Sequence, residues 1–377
     1  MIGTNHISEV AELSKKYKIP VEDIVFISLN ASSMRSDMPY KRVRFKLKIN
    51  SKPEETFYFG VPVISDTPFY LCYEKRVLNL NDQEIGKITE AENDTCDATY
   101  FRRNDTSLTL NSNSRSSCVG CTFCTTHRQD ATDKFKLDSE EKLDKFLTEL
   151  FFTSEKYGST RPHFHKSTLP SKEDVFSNLY QVAVVTGCFD SERRAIEHLK
   201  MVYRYFRKHG FNGEFKYIGS EIVSKEGLGE IANEIPRFNL CLSLECFTRR
   251  KQFLKNIKAK LTLDKAKDVL KTAQERGILT NFTYIVGLDP LSELRKNLKE
   301  FVPLVNKLPI FQVFQPHFEE QKQLRAEGAD NVEYYLRARK DIEEMFKDTN
   351  LRPNSWENYR GLWYFSFCDE PFNDIRV

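Results

Sequence analysis

The sequence lacks any run of about eighteen uncharged apolar residues, so no helical membrane span is expected. Its opening stretch, MIGTNHISEVAELSKKYKI, lacks the basic head and apolar core of a secretory signal. A cytoplasmic location is the expectation. An excess of one charge is also missing: 57 Lys and Arg stand against 54 Asp and Glu, for a net +3. Because the two signs are interspersed, no dedicated nucleic-acid surface is expected. What remains is an ordinary globular composition, 40% hydrophobic and 29% charged, in a chain long enough for one large core or two smaller ones.

A disulfide framework is not expected either. Nine cysteines in a long, signal-free chain point instead to metal or redox chemistry. Six of them (Cys72, Cys96, Cys188, Cys241, Cys246 and Cys368) are scattered and read as small buried apolar residues. The other three, Cys118, Cys121 and Cys124, fall within seven residues.

Residues 1–105 and 106–377 have different patterns. After a short helix near Ile7–Tyr17, the first part is rich in β-type runs: IVFISLN, YKRVRFKLKI, ETFYFGVPV and FYLCYEKRVLNL. It reads as a mostly β extension. From Thr106 the pattern becomes strand–helix alternation. Six strands are expected at SLTLNS, LYQVAVVT, FKYIGSE, NLCLSLECF, NFTYIVGL and FQVFQPH. The helices between them start at Asp138 with Glu141 as a capping box, near Asp190 or Ser191, near Leu228, at Thr262 and at Ser292, the last kinked at Pro303. A final helix runs from Asn331 to about Lys347. The fold class expected is α/β: a partial (β/α)6 barrel over 106–348, with residues 349–377 as a tail packing on it. An open doubly wound sheet fits the same series. In either fold, reactive groups lie past the carboxyl ends of the strands.

SSCVGCTFCTTH follows the first of these strands. Three thiolates spaced two apart on a loop can wrap one cubane, with Gly120 easing the backbone turn. Three readings compete. One is a [4Fe–4S] cluster with an open fourth iron. Another is a ferredoxin-type cluster, but Arg128 and Gln129 stand where that pattern has its fourth Cys and Pro. The third is zinc held by the three cysteines and His127, which would pack four ligands unusually tightly. The setting after strand one of a parallel series favours the first.

Cys121-Thr122-Phe123-Cys124 resembles the second half of the C-x3-C-x-Φ-C signature of the radical S-adenosylmethionine superfamily, where Φ is aromatic. Cys118 sits one residue closer than the usual pattern. YIVGLDP is similar to the family's adenine-side motif through Ile285 and Gly287, with Thr283 and Pro290 replacing its first Gly and final Glu. VVTGCFDSE stands where many members carry Gly-Gly-Glu, and Gly187 is the matching residue. The resemblance covers about Thr106 to Lys347.

It implies a [4Fe–4S] cluster on Cys118, Cys121 and Cys124, and S-adenosylmethionine as the second cofactor. Reductive cleavage to a 5′-deoxyadenosyl radical and hydrogen abstraction from a substrate follow, with flavodoxin or ferredoxin as reductant. The methionine carboxylate needs a cation, for which Arg249 or Arg250 is the candidate. Glu245 is placed to accept from the ribose. Phe123, Ile285 and the strand end at Phe314–Gln315 are candidates for an apolar adenine slot. Ser220 and Glu221 are substrate-side candidates, and His127, His163, His165 and His317 stay unassigned. Cys188 alone would lie near the cofactor, so a single cluster is expected. The substrate is read as a small molecule of biosynthesis, with peptide modification as the alternative. A non-catalytic electron carrier is the reading from another class, and it would need a fourth protein ligand on the cluster.

Overall fold

The computed structural model describes residues 7–94, 99–113, 120–124, 136–152, 171–357 and 360–372. Two helices, α1 (Ile7–Tyr17) and α2 (Val21–Ser32), precede a six-stranded sheet. Its strands are β1 (Arg35–Ser36), β2 (Arg42–Ile49), β3 (Lys52–Pro62), β4 (Phe69–Cys72), β5 (Val77–Leu80) and β6 (Gln83–Asn93). They lie in the order β1-β4-β5-β6-β2-β3, antiparallel except for β1 against β4. IVFISLN is not a strand: it forms the middle of α2, which starts after Pro20 with Glu22 and Asp23 in its first turn. Ten of its twelve residues are buried, and a helix buried all round has the same apolar run as a core strand.

The second sheet has seven strands, in the order β13-β12-β11-β10-β9-β8-β7. Of these, β8 (Ser107–Leu110), β9 (Gln181–Val185), β10 (Glu214–Gly219), β11 (Phe238–Glu245), β12 (Leu279–Val286) and β13 (Ile310–Val313) are parallel and consecutive. They curl into a half-barrel. A seventh strand, β7 (Tyr100–Arg102), pairs antiparallel with β8 at the edge, which the strand–helix pattern did not anticipate. The connecting helices are α3 (Glu140–Phe152), α4 (Lys172–Ser177), α5 (Glu192–Lys208), α6 (Lys225–Glu234), α7 (Arg250–Phe253), α8 (Asn256–Lys260), α9 (Leu263–Glu275) and α10 (Leu291–Phe301). After β13 comes α11 (Val332–Phe346).

Local chemistry accounts for most helix starts. Ser191, Ser224, Thr262 and Asn331 each accept a main-chain N–H from the first turn of α5, α6, α9 and α11. Three details differ from the expectation. α10 starts at Leu291 after Pro290, so Ser292 lies inside its first turn and does not cap it. Ser139, not Asp138, receives the Lys142 N–H at the start of α3, and Asp138 pairs instead with the Lys142 ammonium at 2.6 Å. Pro303 does not kink α10: the helix ends at Phe301 and a 3-10 turn, Val302–Leu304, takes up the proline.

The chain's last segment reaches into the base of the half-barrel. Glu357 accepts from Lys216 of β10 at 2.6 Å and from Gln181 of β9 at 3.3 Å. Glu214, beside it, accepts from Gln181, Asn239 and Lys307 at 2.9, 2.7 and 2.6 Å. Burial works against the charge on Glu357, but Lys216 and Lys307 outweigh it and hold its carboxyl down, at about 2. A folded-state value below the ordinary one means stability that is present above the unfolded value and lost as pH falls through the folded one. Unfolding free energy should therefore drop between pH 4.5 and about 2, by at most roughly 3 kcal/mol from this group. Glu357→Gln should flatten that part of the urea-midpoint profile, and an unchanged acid limb would show that Glu357 is not its source.

Candidate functional site

The carboxyl ends of the half-barrel strands open into a cavity of about 280 Å³, roofed by the N-terminal sheet. Each strand contributes at or just past its end: Asn111 after β8, Gly187 after β9, Glu221 after β10, Glu245 on β11, Ile285 on β12 and Gln312 on β13. Strand alternation explains part of the selection, since Thr109 with Asn111 and Thr283 with Ile285 are two apart and face inward together.

The cysteine loop sits at this mouth. Cys121, Phe123 and Cys124 all line the cavity. Gly120 has φ +76°, in the region where a side chain is disfavoured, so the turn into the loop suits glycine. The loop is pinned from two sides: the Thr122 N–H donates to the Phe253 carbonyl at 2.9 Å, and Gln321 Nε2 donates to the Thr122 carbonyl at 2.8 Å. Beneath it Cys246, Phe253, Leu254, Ile285, Leu288 and Phe314 form a separate apolar cluster, against which Phe123 packs. Cys118, His127, His163 and His165 lie outside the described residues. Among the described residues no group of three His, Cys, Asp or Glu side chains converges as a metal site.

Glu245 has φ +68°, unusual for a residue other than glycine, at a register shift between β11 and β12. The irregularity turns the carboxylate into the cavity, where it accepts from Lys258 of α8 at 3.0 Å. Burial opposes the charge on Lys258, but Glu245, Cys121 and Cys188 outweigh it and raise its pKa above the ordinary lysine value. Burial pushes the Cys121 thiol up, and Lys258 pulls it the other way.

The two candidate arginines are elsewhere. Arg250 donates to the carbonyls of Leu244, Cys246, Lys258 and Leu261 at 2.5, 2.6, 3.2 and 2.8 Å. Arg249 donates to the Leu288 carbonyl and, at 3.1 Å, to that of Leu324, and lies over the Phe253 ring. Neither lines the cavity. Both tie down the segment that follows Glu245. Gly287, at φ +116°, is also behind the wall: a Cβ there would come within 2.9 Å of the Tyr335 hydroxyl and 3.0 Å of Phe314 Cβ. Gln315 is buried between Arg42, which donates to it at 3.0 Å, and Asn30, to which it donates at 2.7 Å.

Ser220 is buried and donates to the Ser243 carbonyl at 3.1 Å. Glu221 lines the cavity and accepts from Tyr217 Oη at 2.6 Å and the Ser220 N–H at 2.8 Å. Of the scattered cysteines, Cys188 lines the cavity and Cys241 and Cys246 do not. Burial pushes the Cys241 thiol up to about 12 and Cys246 higher still.

Sequence reasoning passed over several cavity residues. Among the described residues, the Asn111 amide and the Thr283 hydroxyl are buried there with no hydrogen-bond partner, so both can bond a polar ligand in the cavity. Asn111 directly follows a strand, so the strand-end rule could have found it. Lys258 sits in a short basic helix, NIKAK, with nothing local to single it out.

No family model and no curated protein sequence matches this chain. Among solved structures, the chain is similar to Streptococcus suis SuiB bound to the precursor peptide SuiA and to SuiB bound to S-adenosylmethionine. Both have a TM-score of 0.43 and 9% sequence identity over 67% of this chain. The likeness spans about half the length of those chains, 48% and 50%.

Proposed function

We propose that this protein is a radical S-adenosylmethionine enzyme whose reaction takes place in the cavity at the carboxyl ends of β8–β13. One observation carries the reading: the Cys121-Thr122-Phe123-Cys124 loop lies at that mouth, beside Glu245 and Ile285. The donor set fits the cofactors, with two cavity-lining thiols and two buried polar groups, Asn111 and Thr283, that have no partner among the described residues.

Cys121 and Cys124, with Cys118 as third ligand, would hold the [4Fe–4S] cluster. When bound, the reduced cluster and S-adenosylmethionine supply an electron and a carbon radical able to take a hydrogen atom from a C–H bond. The protein's part is binding, orientation and exclusion of water. Glu245 accepts from ribose hydroxyls, Phe123 and Ile285 offer apolar surface to adenine, and Gly187 lets the ligand approach the backbone. The methionine carboxylate needs a cation. Arg249 or Arg250 would have to leave main-chain carbonyls to reach it, whereas Lys255 and Lys258 already line the cavity and take that role here.

Both substrate classes, a small molecule and a peptide, remain compatible with this chemistry. SuiB was solved with a precursor peptide, which makes peptide the alternative to test alongside small molecules. Anaerobic incubation with S-adenosylmethionine and dithionite should yield 5′-deoxyadenosine. Iron-loaded protein that forms none above the dithionite-only background, with or without added substrate, would sink the proposal in favour of an electron carrier.

A further inference from the structure

After β13 a 3-10 helix, Glu319–Leu324, reads EEQKQL. Glu319, Glu320 and Gln323 are exposed, as such a polar run suggests, yet Gln321 among them is only 6% exposed. Its carboxamide is used at both ends. Oε1 accepts the His317 N–H at 2.7 Å, and Nε2 donates to the Thr122 carbonyl at 2.8 Å. One partner is a donor and the other an acceptor, which fixes the amide one way round, since turning it over would set like groups against each other. An ionised carboxylate, an ammonium or a thioether of similar length cannot serve both partners.

Both partners belong to the cavity. His317 lines it, and its imidazole is neutral: burial and the nearby Arg42 and Arg360 keep its pKa well below the ordinary value. Thr122 stands between the two cavity-lining thiols, Cys121 and Cys124. Its N–H is held by the Phe253 carbonyl at the end of α7, and its own carbonyl is held by Gln321. Peptide groups are rigid planes, so fixing both polar groups of Thr122 fixes the backbone that joins the two cysteines. The relative direction of their side chains follows from that.

Such a grip is as firm as its anchor, and the segment carrying Gln321 is tied at both ends. The Pro316 carbonyl accepts from Ser33 Oγ, just past α2, at 3.3 Å. Arg325 donates to the Ala31 carbonyl of α2 at 2.7 Å, and the Ala326 N–H donates to the Gly287 carbonyl at 2.8 Å. Leu324 packs on the same apolar cluster as Cys121 and Phe123. The N-terminal helices and the half-barrel therefore both hold the point from which Gln321 reaches the loop.

We infer that Gln321 is a positioning residue for the cysteine loop, keeping Cys121 and Cys124 at the spacing that retains a [4Fe–4S] cluster at the cavity mouth. This deepens the proposed function and rests on the loop being the cluster site. Gln321 acts through the Thr122 carbonyl and touches no reacting group.

Iron release tests this without turnover. Anaerobically loaded full-length protein is mixed with excess bathophenanthroline disulfonate, and the coloured iron complex is followed with time. Gln321→Met keeps the side chain's length but not its carboxamide, and should release iron about tenfold faster than wild type. Gln321→Asn, with the same group drawn back by one methylene, should fall between them. Ile342→Ala is the control for lost stability: Ile342 is fully buried in the main core and is not part of the cluster beneath the loop. It should release iron at the wild-type rate, while urea midpoints of the metal-free proteins rank the loss of stability in each variant. Wild-type release rates in both Gln321 variants overturn the inference. So does release that follows the urea midpoints, with Ile342→Ala as fast as Gln321→Met, because a general stabilising role predicts that. Should Gln321→Met fail to fold, Gln321→Asn decides by the same comparison. Wild-type protein that takes up no iron overturns the proposed function, and this inference with it, before any variant is compared.

Discussion

Anaerobically purified wild-type protein is expected to hold about four irons per chain, and Cys121→Ala or Cys124→Ala is expected to abolish that loading. The loss should be near complete, because a cubane tethered at only two corners leaves two of its four irons without a protein ligand. Cys118→Ala is expected to behave the same way. The flanking structure explains why the fold should survive the change. Thr122 is held by the Phe253 carbonyl and by Gln321, and the Cys124 N–H donates to the Cys121 carbonyl at 2.9 Å, all through main-chain groups that alanine keeps. Iron, sulfide and zinc analysis of wild type and variants checks this. Stoichiometric zinc with no visible absorption would replace the cluster with a structural metal. Iron near eight per chain, half of it surviving the triple variant, would point to a second cluster.

The second large effect is on stability. Arg339→Met is expected to cost about 3–5 kcal/mol, because it strands the buried Asp23 carboxylate and leaves Glu343 with Lys340 as its cation. Arg339 is 1% exposed, and donates to Asp23 Oδ2 of α2 and Glu343 Oε1 of α11, both at 2.8 Å. It also donates to the Leu362 and Ser366 carbonyls at 2.9 and 2.8 Å, while Asp23 accepts the Tyr364 and Phe365 N–H groups at 2.6 and 3.1 Å. Trp363 Nε1 closes the network on Glu343 at 2.9 Å. One guanidinium therefore joins the N-terminal helices, the last half-barrel helix and the C-terminal segment. Urea unfolding measures the loss, and Asp23→Asn in the same background should recover part of it by removing one uncompensated charge. A midpoint shift equivalent to less than about 1 kcal/mol would mean that the network is not a stabilising clasp.

These two sites differ in how they could be read. The cysteine loop is local: its spacing, its aromatic and its place after a strand all lie within a few residues. Arg339 binds Asp23 across more than three hundred positions, and neither residue is marked by its neighbours.

The sequence by itself determined the half-barrel. Apolar runs of strand length alternating with capped amphipathic helices leave few topologies, and the expected strand ends are the ones that meet at the cavity. It also determined which side of the sheet the thiols would occupy, because side chains alternate and loops follow the carboxyl ends. Tertiary structure decided the rest. IVFISLN became a helix because it is buried on every side, and burial erases the periodicity that separates helix from strand. Arg249 and Arg250, only a few positions from Glu245 in the chain, donate to main-chain carbonyls instead of lining the cavity. Arg42, Arg44 and Arg102 look in sequence like a solvated face. Only the docking of one sheet over the other makes them the wall of a cavity, since charge alternation along a strand records which residues share a face and not what that face meets.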